Sequence, residues 1–210
     1  MDGRGHDSES KSGGTREKIL AVAEELIARD GFEQFQLKEI AERLGISPPA
    51  IFAHFKGRNS VAEEVARRVL EALVELGRSV GSRDPEEELR GYVRGLVANF
   101  VEHPAHLRIM LSDLAKGGAA SELDRVTDVV AMMGEQTQQL LDRGLRNRRF
   151  RPIRRDAFSA QMLGSVLSLV AWHGWDREGQ LILRVPVAVL QREAEELVLA
   201  LVRPEPRAHT

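Results

Sequence analysis

The chain has 210 residues, 42% of them hydrophobic, and a formal net charge of −2. That apolar content supports a packed core and argues against global disorder, and the length accommodates one large domain or a small one with a larger one. With no cysteines, disulfides, thiolate catalysis and Cys-based zinc sites are excluded, and the near-neutral charge counts against a dedicated non-specific nucleic-acid binder.

Residues 1–14 (MDGRGHDSESKSGG) are Gly, Ser and charge. They read as a disordered arm and lack the apolar core of a signal peptide. From Thr15 onward the pattern is helical almost throughout, and no alternating apolar–polar run predicts a sheet. Ile19, Val22, Ala23, Leu26 and Ile27 form one stripe of a first helix over about residues 16–29, stopped by Gly31. Leu37, Ile40, Ala41 and Leu44 share a face of a second helix, which Gly45 ends. Ser47 is placed to cap a third helix, with Pro48 at the first position, where a missing N–H costs nothing. Ile51 and Phe55 of that helix point back to the core.

Ser60-Val61-Ala62-Glu63 has the pattern of a capping box and opens a fourth helix carrying Ala62, Val65, Val69, Leu73 and Leu76. A second region begins near Gly77. Asp84-Pro85-Glu86-Glu87 starts a helix lined by Leu89, Val93, Leu96, Val97 and Phe100. Pro104 ends it and opens a short helix through Lys116. Gly117-Gly118 breaks the chain, and a long helix follows over about residues 121–146. Asp156 is expected to cap the next helix, which reaches Trp172. A loop with Gly174 and Gly179 leads to a last helix that Pro186 opens and Pro204 ends, leaving a tail at 204–210 that reads as disordered. The expectation is an all-α chain of about nine helices, three or four of them in an N-terminal unit. The longest apolar stretch, residues 162–172, falls short of the roughly 20 residues that span a bilayer. A soluble cytoplasmic protein is expected, with no membrane partner and no cofactor.

The most informative segment is residues 36–58, QLKEIAERLGISPPAIFAHFKGR. Two short periodic segments flank the tight Gly45-Ile46-Ser47 break, which is the pattern of a helix-turn-helix spanning about residues 36–55. Between residues 36 and 60, Lys38, Arg43, Lys56 and Arg58 outnumber Glu39 and Glu42, a local charge of +2. A local excess suffices for a small DNA-facing surface.

Residues 15 to about 65 resemble the TetR family of bacterial helix-turn-helix regulators. The resemblance is carried by Ile19, Ala23, Leu26, Gly31, Phe32, Ile40, Ala41, Leu44, Gly45, Ile46, Ser47, Ile51, Phe52, His54, Phe55, Lys56, Arg58 and Val61. It implies a DNA-binding domain at 15–62 and a ligand-binding and dimerisation domain at 63–203. It also implies a transcriptional regulator, not an enzyme: a homodimeric repressor released from a palindromic DNA operator by a small-molecule effector. The third helix would read DNA, with Ser47, Pro49, Ala50, Phe52, Ala53 and His54 at base edges or phosphates; His54 fits local packing or capping equally well. Lys56 and Arg58 would contact phosphate, Lys38 would meet the backbone from the second helix, and Thr15 and Arg16 would do so through free N–H groups at the start of the first. The sequence departs from the family pattern at three places. Phe52 stands where Tyr is usual, so it packs but donates no hydrogen bond. Phe35 and Gln36 replace the Thr or Ser that would cap the second helix. Pro48-Pro49 leaves few donors, which shifts specificity from direct base contacts toward operator shape.

In the same resemblance the larger region forms the dimer and binds the effector. Phe158, Met162, Leu163, Val166, Leu169 and Val170 on one helix, with Leu190, Leu197 and Leu201 on the last, are the interface candidates, pairing into a four-helix bundle. The same faces would equally fill a monomer core. Tyr92, Phe100, Met110, Met133, Gln136, Thr137 and Trp172 are candidates to line a pocket for an apolar or amphipathic ligand, or else plain core. His103 and His106 are discounted as a metal site, since Pro104 lies between them and the pattern supplies no third ligand at metal-site spacing; a helix terminus and a surface histidine account for them. The arginine run 143–155 suits a solvated loop after a helix C-terminus, with binding of an acidic partner or phosphate as the alternative. The rival functional reading is a small-molecule binding or carrier protein with a degenerate helix-turn-helix. A helical enzyme would need a clustered catalytic motif, and none is recognisable.

Overall fold

The computed structural model describes residues 6–31, 33–79, 84–115, 124–178 and 180–204, without the side chains of 6–13, 79, 113–115 and 124–133. Phe32, Lys116, the Gly117-Gly118 break, Gly179, the tail from residue 205 and the Met133 side chain therefore lie outside the described residues. The helices are α1 (His6–Asp30), α2 (Leu37–Leu44), α3 (Pro48–Phe52), α4 (Arg58–Ser79), α5 (Pro85–Glu102), α6 (Pro104–Ala115), α7 (Asp124–Arg146), α8 (Arg155–Ala171) and α9 (Val187–Val202). Among the described residues the one β pairing is an isolated bridge between Trp175 and Leu181, in the α8–α9 loop. The expected all-α architecture holds.

Four helix starts differ from the sequence expectation, each for a local reason. α1 begins at His6, inside the segment expected to be a disordered arm. Extending an existing helix adds one hydrogen bond per residue fixed, whereas nucleating one does not, so a polar segment can continue a buried helix without burying anything itself. Ser47 has the extended backbone of a cap, but its hydroxyl makes no cap hydrogen bond. Pro48 and Pro49 carry no N–H, and the first available donor, Ala50 N, already bonds to Ser47 O at 2.9 Å. Ser60 sits inside the first turn of α4, so the predicted box is shifted: its hydroxyl accepts from Gly57 N at 3.2 Å and donates to Gly57 O at 2.9 Å. Asp156 likewise lies in the first turn of α8, held by Arg154. By contrast, Asp84 caps α5 as expected, accepting from Glu86 N at 3.0 Å.

The N-terminal unit closes on the apolar stripes of α1, α2 and α3. Ile19, Leu26, Ile27, Ile40 and Ile51 are fully buried together with Phe35. Behind it, α5 runs through the middle of the larger region and packs on α4, α6, α7, α8 and α9. Leu89, Val93, Leu96, Val97 and Phe100 are its fully buried face. The two units are joined by α4, which packs on both α1 and α7, and by α6, which packs on α1. His106, expected at the surface, is buried in α6.

Candidate nucleic-acid interface

The turn between α2 and α3 is built by Gly45. Its backbone is left-handed (φ 62°, ψ 32°), a conformation that costs a residue with a Cβ. Ile46 N reaches back to Ala41 O at 3.0 Å and Gly45 N to Glu42 O at 3.2 Å, the paired bonds that close a helix C-terminus in this geometry. At the other end, Gln36 has cap backbone but no side-chain cap bond, in line with the missing Ser or Thr. α3 is anchored from beneath by buried Ile51 and Phe55. Its outer side is left open: Ser47, Pro49, Ala53 and Lys56 are exposed, Ala50 and His54 are half-buried, and Phe52 is 57% exposed.

The cations divide into two kinds. Lys56 is exposed and enters no ion pair among the described residues. Lys38 is exposed and makes a loose pair with Glu42 at 3.5 Å. Arg16 and Arg58 are engaged inward. Arg16 bonds Glu64 of α4 at 2.9 Å and lies over the Phe55 ring at 5.1 Å. Arg58 donates to Glu33 O at 3.1 Å and lies over the Phe35 ring at 5.3 Å. Thr15 and Arg16 also stand well within α1, so their N–H groups belong to the helical ladder and are not the free donors expected of a helix start. Glu64 is held down to a pKa of about 2, first by its hydrogen bond from Arg67 and then by Arg16.

In the larger region, Tyr92, Gln136 and Thr137 do come together. With Gly77, Glu88 and Leu140 they line a cavity of about 20 Å³ between α4, α5 and α7. The Tyr92 hydroxyl and Gln136 Oε1 are buried there with no hydrogen-bond partner, and burial pushes the Tyr92 hydroxyl up to about 12. Gln136 Nε2 donates to Val74 O at 3.2 Å. Phe100 and Met110 are core residues instead, and Trp172 is 81% exposed, which removes it from any pocket wall. Sequence reasoning missed Glu88, whose partner Arg143 comes from the far end of α7. Of the interface candidates, Phe158, Met162, Val166, Val170 and Leu190 are buried within the single chain. They fill the core where α8 and α9 pack on α5, and cannot also face a second subunit. Leu163, Leu169 and Leu201 are half-buried, and Leu197 is 52% exposed. The arginine run is largely spent on ion pairs: Arg143 with Glu88, Arg149 with Asp84, Arg154 with Asp156 and Arg155 with Asp142.

Residues 19–65, the whole of this helix-turn-helix unit, match the profile of the bacterial regulatory proteins, tetR family. This segment is a TetR-family DNA-binding domain. The chain's likeness to other regulators runs past the matched segment. The nucleoid occlusion factor SlmA of Vibrio vulnificus is 27% identical over 161 residues, 75% of this chain and 82% of that protein. The HTH-type transcriptional repressor KstR2 of Mycolicibacterium smegmatis is 27% identical over 153 residues, 70% of this chain and 72% of that one. The structure of the ketosteroid transcriptional regulator KstR2 of Mycobacterium tuberculosis superposes with a TM-score of 0.73 at 18% identity, covering 91% of this chain and 96% of that chain. The chain is thus a DNA-binding transcriptional regulator, and its fold matches that of the solved regulator over 91% of its length. Among the described residues no helix is long and apolar enough to cross a membrane.

Proposed function

We propose that the protein is a homodimeric cytoplasmic repressor that binds a palindromic operator and leaves it when a small amphipathic effector enters the α4–α5–α7 cavity. One observation carries this reading. α4 is continuous from Arg58, two residues after the exposed Lys56, to Ser79, and its Gly77 forms a wall of the cavity. A rigid helix with one end at the DNA-facing surface and the other at a polar cavity transmits a displacement at either end.

The cavity has room for about one water, so an effector must displace α7 from α4 and α5 to enter. That displacement is the differential interaction a population shift requires. The unpartnered Tyr92 hydroxyl and Gln136 Oε1 favour a ligand with an apolar body and a hydrogen-bonding group over a purely apolar one. Dimerisation is assigned to the outward faces of α8 and α9, around Trp172 and Leu197, with Leu163, Leu169 and Leu201 at the margin. Two such units about one DNA turn or more apart would read the palindrome. The reading is of a regulator and not of an enzyme.

The test is selection of bound sequences from a random duplex pool, followed by affinity measurement against salt. A palindromic site with a steep salt dependence is expected. A folded dimer that enriches no sequence and shows no salt dependence overturns the reading in favour of a binding or carrier protein.

A further inference from the structure

Glu24, His103 and His106 meet at the seam between the two units. Glu24 lies on α1, His103 is the residue that ends α5, and His106 stands in the first turn of α6. Their ligand atoms all lie within 4.8 Å of one another. Glu24 Oε1 is 3.5 Å from His103 Nδ1 and 3.4 Å from His106 Nε2. The imidazole rings stack at 4.6 Å with 18° between their planes, so both present a nitrogen to the same carboxylate.

These separations are long for direct hydrogen bonds. They match the edge of a tetrahedron of donors around zinc: ligands at about 2.0–2.2 Å from a common ion stand about 3.3–3.5 Å apart. The second sphere agrees. His106 Nδ1 is 3.1 Å from Asn99 Oδ1, and a metal-bound histidine typically donates its other N–H to such an oxygen. With that proton on Nδ1, the Nε2 lone pair and the Glu24 carboxylate face each other, and a cation between them relieves the repulsion. In the reverse amide orientation His106 Nε2–H would donate to Glu24, giving a hydrogen-bonded triad without metal; the buried Asn99 Nδ2, unpartnered otherwise, would then be satisfied. A metal titration separates the two arrangements.

We propose that Glu24, His103 and His106 form a binding site for a divalent transition metal of the zinc class, with the fourth position open. Two imidazoles and one carboxylate suit zinc rather than calcium or magnesium, which take oxygen sets. Glu24 belongs to the DNA-binding unit and both histidines to the larger region, so the bound ion clamps α1 to the α5–α6 corner. That clamp makes metal occupancy a second input to DNA binding. The coupling rests on the operator reading above; the metal site itself does not.

The experiment uses the full chain stripped with a chelator. It is titrated with Zn²⁺ against a chromophoric competitor, and separately with Co²⁺, whose visible spectrum reports tetrahedral coordination. One ion per chain is expected. His103→Ala and Glu24→Gln, both at partly exposed positions, should weaken binding by more than about tenfold with helicity by circular dichroism unchanged. Absence of stoichiometric binding, or binding that survives both substitutions, overturns the site. Operator affinity is then compared with and without Zn²⁺. A difference that the His103→Ala variant abolishes supports the clamp. Equal affinities in a protein that does bind the ion overturn the clamp alone, and absence of any operator binding is a failure of the operator reading, not of the metal site.

Discussion

Two neighbouring cations in the DNA-binding unit have different work. Lys56 is exposed and unpaired among the described residues, whereas Arg58 is held by Glu33 and the face of Phe35. Lys56→Ala is expected to weaken binding to every DNA sequence and to reduce the salt slope by about one counterion. Arg58→Ala should leave that slope closer to the parent and lower the unfolding midpoint instead; fluorescence titrations across a salt series, with a thermal melt of each variant, check the pair. Phe52→Tyr adds a hydroxyl to an exposed ring on the same surface. One added hydrogen bond, about 0.5–1.5 kcal/mol, predicts operator binding tighter by roughly two- to tenfold, and an unchanged affinity would place Phe52 away from phosphate. Away from the interface, a Cβ at Gly144 would meet the buried Phe150 ring at 1.9 Å. Gly144→Ala is therefore expected to cost about 1–3 kcal/mol in urea unfolding, since an aromatic ring enclosed by core cannot swing aside.

At the level of elements, α1 and α4 are tied by charge as well as by packing. Glu64 accepts from Arg16 of α1 at 2.9 Å and from Arg67 of its own helix at 2.7 Å, and Arg68 of α4 bonds Glu17 of α1 at 2.7 Å. Because the folded pKa of Glu64 is depressed from 4.5 to about 2, the stability its ionised form contributes is present in full above 4.5. It disappears as the pH falls through about 2. The stability difference between the parent and Glu64→Gln should accordingly shrink across that window, as denaturant midpoints at a series of pH values will register. A difference that stays constant would mean that Glu64 acts through packing alone. The apolar periodicity of these helices was legible in the sequence because it repeats every three to four residues on one strand of chain. Their ion-pair partners were not, since Arg16 and Glu64 are brought together by a crossing of two helices that no local pattern encodes.

For the whole molecule the decisive question is which apolar faces are spent inside one chain. Phe158 and Val166 are fully buried in it, and Phe158→Ala should cost about 3–5 kcal/mol of folding stability. Trp172 and Leu197 remain outside. Replacing both by Glu should leave the helical content intact while converting the proposed dimer to monomer in sedimentation velocity, with a corresponding loss of affinity for a palindrome but not for a half-site. A double variant that still sediments as a dimer would move the subunit interface elsewhere.

The sequence by itself determined the all-α class, the helix-turn-helix with its left-handed Gly45, the Pro-led start of α3 and the Asp84 cap of α5. Each of these is settled within a few residues by backbone geometry and hydrogen bonding, which side-chain identity controls directly. The sequence also picked out Tyr92, Gln136 and Thr137, amphipathic residues on α5 and α7, two of the three helices that bound the cavity. Only the tertiary structure decided that Trp172 stands in the open, that Phe158 and Leu190 belong to the monomer core, that Arg16 and Arg58 are engaged inward, and that Glu24 arrives beside His103 and His106. The identity of what covers an apolar face or neutralises a charge depends on how helices distant in the chain cross, and that geometry exists only once the core has packed.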